Sequence, residues 1–200
     1  MPAPSDVVLL PDAGPLITLA YADALGALFK PGWRVVVLNM VPLELMRNHT
    51  PTSQKLAHWV ESHAITVLNT QTGAHYLQEA AEAAMSPVRK ANLGELAVQE
   101  TINQFALQRP PQTAVFLFED HRIARTSFLL PEHCQKISTR AFLIFLKQKG
   151  WIESAGAKER QAAQAERNFS ATPRFSKQGP RDWLRQTAGA APPWGAAQYT

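Results

Sequence analysis

Four carboxylates stand out by position: Asp12, Glu44, Glu95 and Asp120. Asp12 ends the apolar run VVLLP, Glu44 follows RVVVL within VPLELMR, and Asp120 follows AVFLF with Glu119 between. Glu95 lies in LGELAV, at the edge of an apolar helix face rather than on an evidently solvated one. Acids beside apolar positions are costly to bury unless something pairs with them. No matching Lys or Arg appears at those strand ends except Arg122 and Arg125, so four gathered carboxylates would repel one another and raise each other's pKa. A divalent cation removes that conflict. Oxygen donors without Cys or an obligatory His select Mg²⁺ or Mn²⁺, which keep several waters and bind phosphate oxygens readily. Such a site lowers the pKa of a bound water and stabilises the leaving oxygen of a phosphodiester in an in-line displacement.

The elements that must bring these acids together alternate along the chain. Residues 6–11, 34–38, 65–68 and 114–118 are short apolar runs that read as strands buried on both faces, and Cys134–Ile137 reads as a weaker one. Between them lie helix-forming stretches. One passes through Leu16, Ile17 and Leu19 and continues through Leu25, Leu28 and Phe29 until Pro31-Gly32 stops it. A helix after the second strand carries Glu44 in its first turn. Another, capped by Thr52 or Ser53, runs to about His63 with Leu56, Trp59 and Val60 on one side. Thr72–Ala84 is helix-forming, Ser86-Pro87 breaks it, and Leu93–Ala106 has Leu93, Leu96, Ala97 and Phe105 as core positions. Thr139–Lys149 is a last helix with Phe142, Leu143, Phe145 and Leu146 inward and Gly150 at its end. Strands alternating with helices predict a three-layer α/β/α fold around a parallel sheet. In such sheets ligands bind beyond the carboxyl ends of the strands, where Asp12, Glu44 and Asp120 fall.

Each acid also has an ordinary use. Asp12 could cap the turn after it, Glu44 could answer a helix dipole, and Asp120 could cap a short helix through Ile123. Glu95 could be solvated, as Glu79, Glu82 and Glu100 are read to be. Their coincidence at one end of one sheet favours a site. Because consecutive residues leaving a strand point to opposite sides, only one of Glu119 and Asp120 turns into the cleft. Two other phosphate chemistries fit less well. A receiver-like domain wants its Asp after the third strand, where Asn69-Thr70 stands, and a HAD-type phosphatase wants Asp-x-Asp, where the chain has Asp12-Ala13-Gly14.

Charge narrows the field further. The net +4 suggests an anionic partner, yet residues 1–154 hold 13 of the 20 bases and 13 of the 16 acids, so the excess belongs to residues 155–200. After Ile152 there is no Ile, Val or Met and a single Leu, Leu184, so that stretch cannot build a core of its own. The expected organisation is therefore a domain over residues 5–153 and a basic Ala-, Gln- and Pro-containing tail over 154–200, partly helical or disordered, with Trp183 as a candidate anchor. Cys134, the single cysteine, excludes internal disulfides and multi-cysteine zinc sites and reads as a buried thiol. There is no phosphate loop, GxGxxG or HExxH motif. Asp12 and Asp23 interrupt the apolar run from Val7 to Phe29, and MPAPSDVVLL lacks the positive start of a signal peptide, so no membrane association and a cytoplasmic location are expected.

The segments VLLPDAGPLITLA, VPLELMR, ANLGELAVQE, VFLFEDHRIAR and ISTRAFLIFLKQKGWIESA, taken in order over about residues 6–155, resemble the successive motifs of PIN-domain ribonucleases. That family includes the VapC-type toxins of toxin–antitoxin modules. The resemblance implies cleavage of single-stranded RNA with Mg²⁺ or Mn²⁺, and a homodimer held by an antitoxin partner. It assigns Asp12, Glu44, Glu95 and Asp120 as the catalytic acids, with Asp12, Glu95 and Asp120 as metal ligands. The downstream spacing of Ala124 and Arg125 favours Asp120 over Glu119, which becomes an outer ligand. Thr139 matches a small hydroxyl residue at the start of the last helix of the fold, and His121, Arg122 and Arg125 become candidate phosphate contacts. Two positions depart from the pattern: Gly14 stands where many members have Ser or Thr, and His121 where relatives often carry a second acid. These departures motivate the alternative, a PIN-fold protein with weak or no catalysis that binds RNA or a protein.

Overall fold

A computed structural model describes residues 7–46, 50–82, 93–119 and 131–164. Strands β1 (Val7–Pro11), β2 (Arg34–Leu38), β3 (Thr66–Leu68), β4 (Thr113–Phe118) and β5 (Cys134–Ser138) form one parallel sheet in the order β3-β2-β1-β4-β5. The strands are apolar because helices cover both faces. On one face Leu9, Val37, Val115, Leu117 and Ile137 pack into a core with residues of α1 (Ala13–Tyr21), α3 (Pro51–Ser62), α6 (Thr139–Gln148) and α7 (Ala155–Gln164). On the other, Leu10, Val36, Leu38, Phe116 and Phe118 pack with Ala97, Val98, Ile102 and Phe105 of α5 (Leu93–Leu107). α4 (Gln71–Glu82) lies against α5, and α2 (Met40–Met46) follows β2. The result is a three-layer α/β/α fold.

Helix starts account for most departures from the sequence-based expectations. Thr50, not Thr52 or Ser53, caps α3: its hydroxyl accepts from Ser53 N at 3.1 Å while Ser53 Oγ accepts from Thr50 N at 2.9 Å, and Pro51 occupies the first helical position. This reciprocal pair satisfies two backbone donors at once. α2 begins at Met40, so Glu44 falls beyond the first turn and gains little from the helix dipole. The helical spacing after α1 breaks at Asp23, whose positive φ of 47° separates α1 from a 3₁₀ turn over Leu25–Phe29. Leu96 points outward, 55% exposed, and the core positions of α5 are Ala97, Val98, Ile102 and Phe105.

The compositional break near residue 154 is not a break in packing. Ala155 and Ala162 of α7 are buried in the core formed with α1 and α6. Lys158 Nζ donates to the carbonyl of Ala22 at 3.2 Å, and Glu159 pairs with Arg140 of α6 at 3.2 Å. Small residues allow this close approach without the large side chains a core helix usually carries. Residues 165–200, including Trp183, lie outside the described residues. Among the described residues, no helix is long and apolar enough to cross a membrane.

The strand order reverses direction between β1 and β4. β1, β2 and β3 extend one way from that junction and β4 and β5 the other, so the connections diverge and leave a crevice at the carboxyl ends of β1 and β4. Asp12 N donates to Leu117 O at 2.9 Å, tying the two ends together. The backbone thus puts Asp12 at the place where open sheets of this kind bind ligands.

Candidate active site

Asp12 sits at the N-cap position of α1 with extended backbone angles, yet its side chain makes no capping hydrogen bond to the helix. Strand alternation explains where it goes instead. Val8 and Leu10 face α5, so Asp12 leaves β1 toward the same side. There it meets Gly94, in the first turn of α5, and Glu44 of α2. A Cβ added at Gly94 would lie 3.3 Å from Glu44 Oε1 and 3.9 Å from Asp12 Oδ1. Two carboxylates from separate elements therefore converge on one point, and the absent side chain of residue 94 leaves space between them. The N-terminus of α5 brings the positive end of its dipole to the same point.

Below the acids is a recess floored by Leu10, Leu38, Val98 and Phe116, with Met40 and Val41 along its side. Its cavity volume is about 10 Å³, room for about one water. A recess this small, with acids at its rim, suits an ion or a water rather than an enclosed organic ligand.

Glu95 lies beside Gly94 in the first turn of α5 and is half-buried. Glu119 directly follows β4, and its Oε1 is shielded from solvent. Thr139 opens α6 immediately after β5. It is 1% exposed, and its hydroxyl has no hydrogen-bond partner among the described residues. Asp120, His121, Arg122 and Arg125 lie outside the described residues. Of the four acids singled out in the sequence, Asp12 and Glu44 converge at Gly94, and Glu95 is the next residue along α5. Among the described residues no group of three or more His, Cys, Asp or Glu side chains is close enough to form a complete metal cage. Asp12 and Glu44 nonetheless fit a hard cation, since both are oxygen donors and the cradle between them is one that a single Cβ would fill.

Two charged residues were misjudged or missed from sequence. Glu100, read as solvated, instead caps α4 from α5. Its Oε1 accepts from Gln71 N at 2.7 Å, and its Oε2 accepts from Thr72 N and Thr72 Oγ1, both at 3.0 Å. Burial pushes its pKa up, but the backbone donors of Thr72 and Gln71 and the Thr72 hydroxyl outweigh this and hold it below the usual Glu value. Lys136 is the missed residue. It lies half-buried on β5, level with Phe116, and the Glu95 carboxylate acts on its ammonium. Burial pulls its pKa below that of an ordinary lysine, and Glu95 opposes the shift. Cys134 is the inert thiol expected, 3% exposed and pushed up to about 11 by burial, against a smaller opposing effect of its backbone hydrogen bond with Ala114.

Comparison with known proteins finds no matching family model, no matching curated protein and no matching solved structure.

Proposed function

We propose that this chain is a divalent-metal-dependent endoribonuclease of the PIN type, cutting single-stranded RNA by in-line hydrolysis. One observation carries the reading: Asp12 and Glu44 converge across Gly94 at the switch point of the sheet, with Asp12 turned away from the capping role its position offers. Carboxylates brought together in this way repel unless a cation stands between them.

Asp12 and Glu44 would hold the ion, with Glu95 and Asp120 as the further acids that the resemblance assigns to the set. A bound Mg²⁺ or Mn²⁺ supplies positive charge to the phosphate oxygens and lowers the pKa of a coordinated water. The protein's own contribution is position. Asp12 is fixed by the Asp12 N to Leu117 O bond, Glu44 by α2, and the apolar floor keeps bulk water from the underside of the site. The Thr139 hydroxyl, without a hydrogen-bond partner among the described residues and at the same end of the sheet, is a candidate donor to a phosphate oxygen or a bound water. Hydrolysis forms a bond from the water oxygen to phosphorus and breaks the opposite ester bond. The water's proton passes to a carboxylate, and a proton from that carboxylate or from solvent goes to the leaving oxygen, which departs as an alcohol. A toxin-like role, with a homodimer held by an antitoxin, belongs to the same reading, as does a cytoplasmic location.

The test is cleavage of a mixed RNA pool by the full chain with Mg²⁺, with EDTA, and with Asp12→Asn. The reading expects metal-dependent cutting that the substitution abolishes. Cutting that persists in both EDTA and Asp12→Asn overturns it.

A further inference from the structure

The C-terminal helix turns the chain back toward the site. α6 starts at the carboxyl end of β5 with Thr139 and Arg140 and ends at Gln148. Just beyond it, Trp151 lies against the far half of α6: its amide donates to Leu146 O at 3.0 Å, and its ring meets that of Phe145 edge-on at 5.8 Å. Further along, Glu159 of α7 pairs with Arg140 in the first turn of α6 at 3.2 Å. α7 therefore runs back along α6 toward the carboxyl end of the sheet. It is fixed there by the buried Ala155 and Ala162 and by Lys158 Nζ on Ala22 O at 3.2 Å. β5 stands two strands from β1, about 10 Å at ordinary strand spacing. Gln164, the last residue of α7, thus delivers the chain to the end of the sheet that carries Asp12 and Glu44.

The chain before α7 offers RNA little net attraction, since it carries as many acids as bases and the site itself gathers acids. Single-stranded RNA is held by positive charge along its backbone and by aromatic rings on which its bases stack. Residues 165–200 supply both, with five bases against two acids and with five aromatics. The two kinds alternate: Arg174 precedes Phe175 with Lys177 close behind, and Arg181 and Arg185 bracket Trp183. The same segment is poorly made for docking as a helix in a protein groove. Leu184 is its only aliphatic residue larger than alanine apart from its prolines, and four prolines interrupt the periodicity that such anchors need.

We propose that residues 165–200 are a binding arm for single-stranded RNA, anchored beside the Asp12–Glu44 site by α7, with Arg174, Lys177, Arg181 and Arg185 taking phosphates and Phe175 and Trp183 stacking on bases. The arm holds substrate for that site, and so rests on the nuclease reading for its use. Phosphates and ring faces are common to every nucleotide, so the arm adds affinity without selecting a sequence.

The experiment uses the full chain as wild type, as Trp183→Ala, and as a quadruple variant carrying Arg174→Gln, Lys177→Gln, Arg181→Gln and Arg185→Gln. A short fluorescein-labelled single-stranded RNA is titrated in EDTA at several KCl concentrations, Mn²⁺ binding is followed by calorimetry without RNA, and cleavage kinetics are taken in Mg²⁺. Both variants should melt with the wild type, since the substituted positions lie beyond α7. The quadruple variant is expected to bind RNA at least tenfold more weakly, with the dependence of log affinity on log salt reduced by about 2–3, near 0.7 for each lost phosphate contact on a single strand. Trp183→Ala should weaken binding about tenfold and leave the salt slope alone. Both should keep Mn²⁺ binding and raise KM several-fold without lowering kcat, as the loss of a contact made equally before and during the reaction does. Unchanged RNA affinity and salt slope in the quadruple variant overturns the arm, is the result a protein-docking segment would give, and leaves the nuclease reading standing. A fall in kcat with KM unchanged also overturns it, since the segment would then act on the chemistry rather than hold RNA. A wild type that binds RNA through these residues but takes no Mn²⁺ and makes no cut supports the arm and overturns the nuclease reading alone.

Discussion

Two glycines near helix starts, Gly73 in α4 and Gly94 in α5, show how the same residue type serves opposite ends. At Gly73 the missing Cβ is filled: an added one would overlap the Asn39 carboxamide, which is itself held by Thr70 Oγ1 at 2.8 Å. The backbone donors there are all assigned, since Gly73 N bonds Thr70 Oγ1 and the amides of Gln71 and Thr72 bond Glu100. At Gly94 the missing Cβ leaves a gap between two carboxylates: Asp12 holds the N-cap position of α1 without a side-chain capping bond, and Glu44 lies beyond the first turn of α2. Satisfied polar groups rigidify a structure, while gathered like charges cost stability and are kept where a ligand makes use of them. The α4 start thus reads as a structural latch and the α5 start as a site.

The comparison can be broken most decisively on the side of the site. Asp12→Asn is expected to lower RNA cleavage at least 100-fold, a loss of about 3 kcal/mol in barrier terms, while the melting temperature holds or rises slightly because repulsion is relieved. A parallel cleavage assay and thermal melt check this, and equal loss of fold and activity would make Asp12 structural. On the side of the latch, Gly73→Ala forces the fixed Asn39 aside and is expected to cost about 2–3 kcal/mol, measured as a fall in the urea midpoint.

Glu100→Gln should cost less, about 1–2 kcal/mol at neutral pH, since it keeps one acceptor but loses the charge-assisted bonds at a partly exposed position. The sign with pH follows from the lowered pKa. Glu100 binds its proton more weakly folded than unfolded, so its stabilisation is complete above the ordinary Glu value of 4.5 and disappears as pH falls through the lower folded value. Wild type and Glu100→Gln should therefore differ most above about pH 5 and converge as pH falls below the lowered folded value. Parallel curves across that range would assign the latch to something other than the carboxylate. The smallest effect belongs to Gly94→Ala. Its Cβ meets Glu44 at a tight 3.3 Å, but the exchange also removes glycine's helix penalty. Stability should change by less than about 0.5 kcal/mol, with Mn²⁺ affinity falling several-fold.

Much of this was legible in the chain, and what was not has physical causes. The strand ends were readable because apolar runs such as VVLLP stop abruptly at an acid, and a parallel sheet then dictates which end binds ligands. Glu100 was not, because its partners lie 28 and 29 residues away at the start of another helix, and helical periodicity says nothing about such pairs. α7 escaped notice as part of the folded body because its buried contacts are Ala155 and Ala162, small residues that carry no hydrophobic signal. Thr50 was overlooked because the favourable Pro51 after it was not used as a helix start. Lys136 was hidden on an edge strand too mixed in composition to reveal which of its faces is covered.

The central claim is that Asp12 and Glu44 form one cation site across Gly94. Calorimetric titration of Mn²⁺ into wild type, Asp12→Asn, Glu44→Gln and the double variant tests it directly. Residues that act on one ion are not additive, so each single substitution should remove most of the binding and the double little more. Mn²⁺ binding that is absent from the wild type, or that survives undiminished in both single variants, would contradict it.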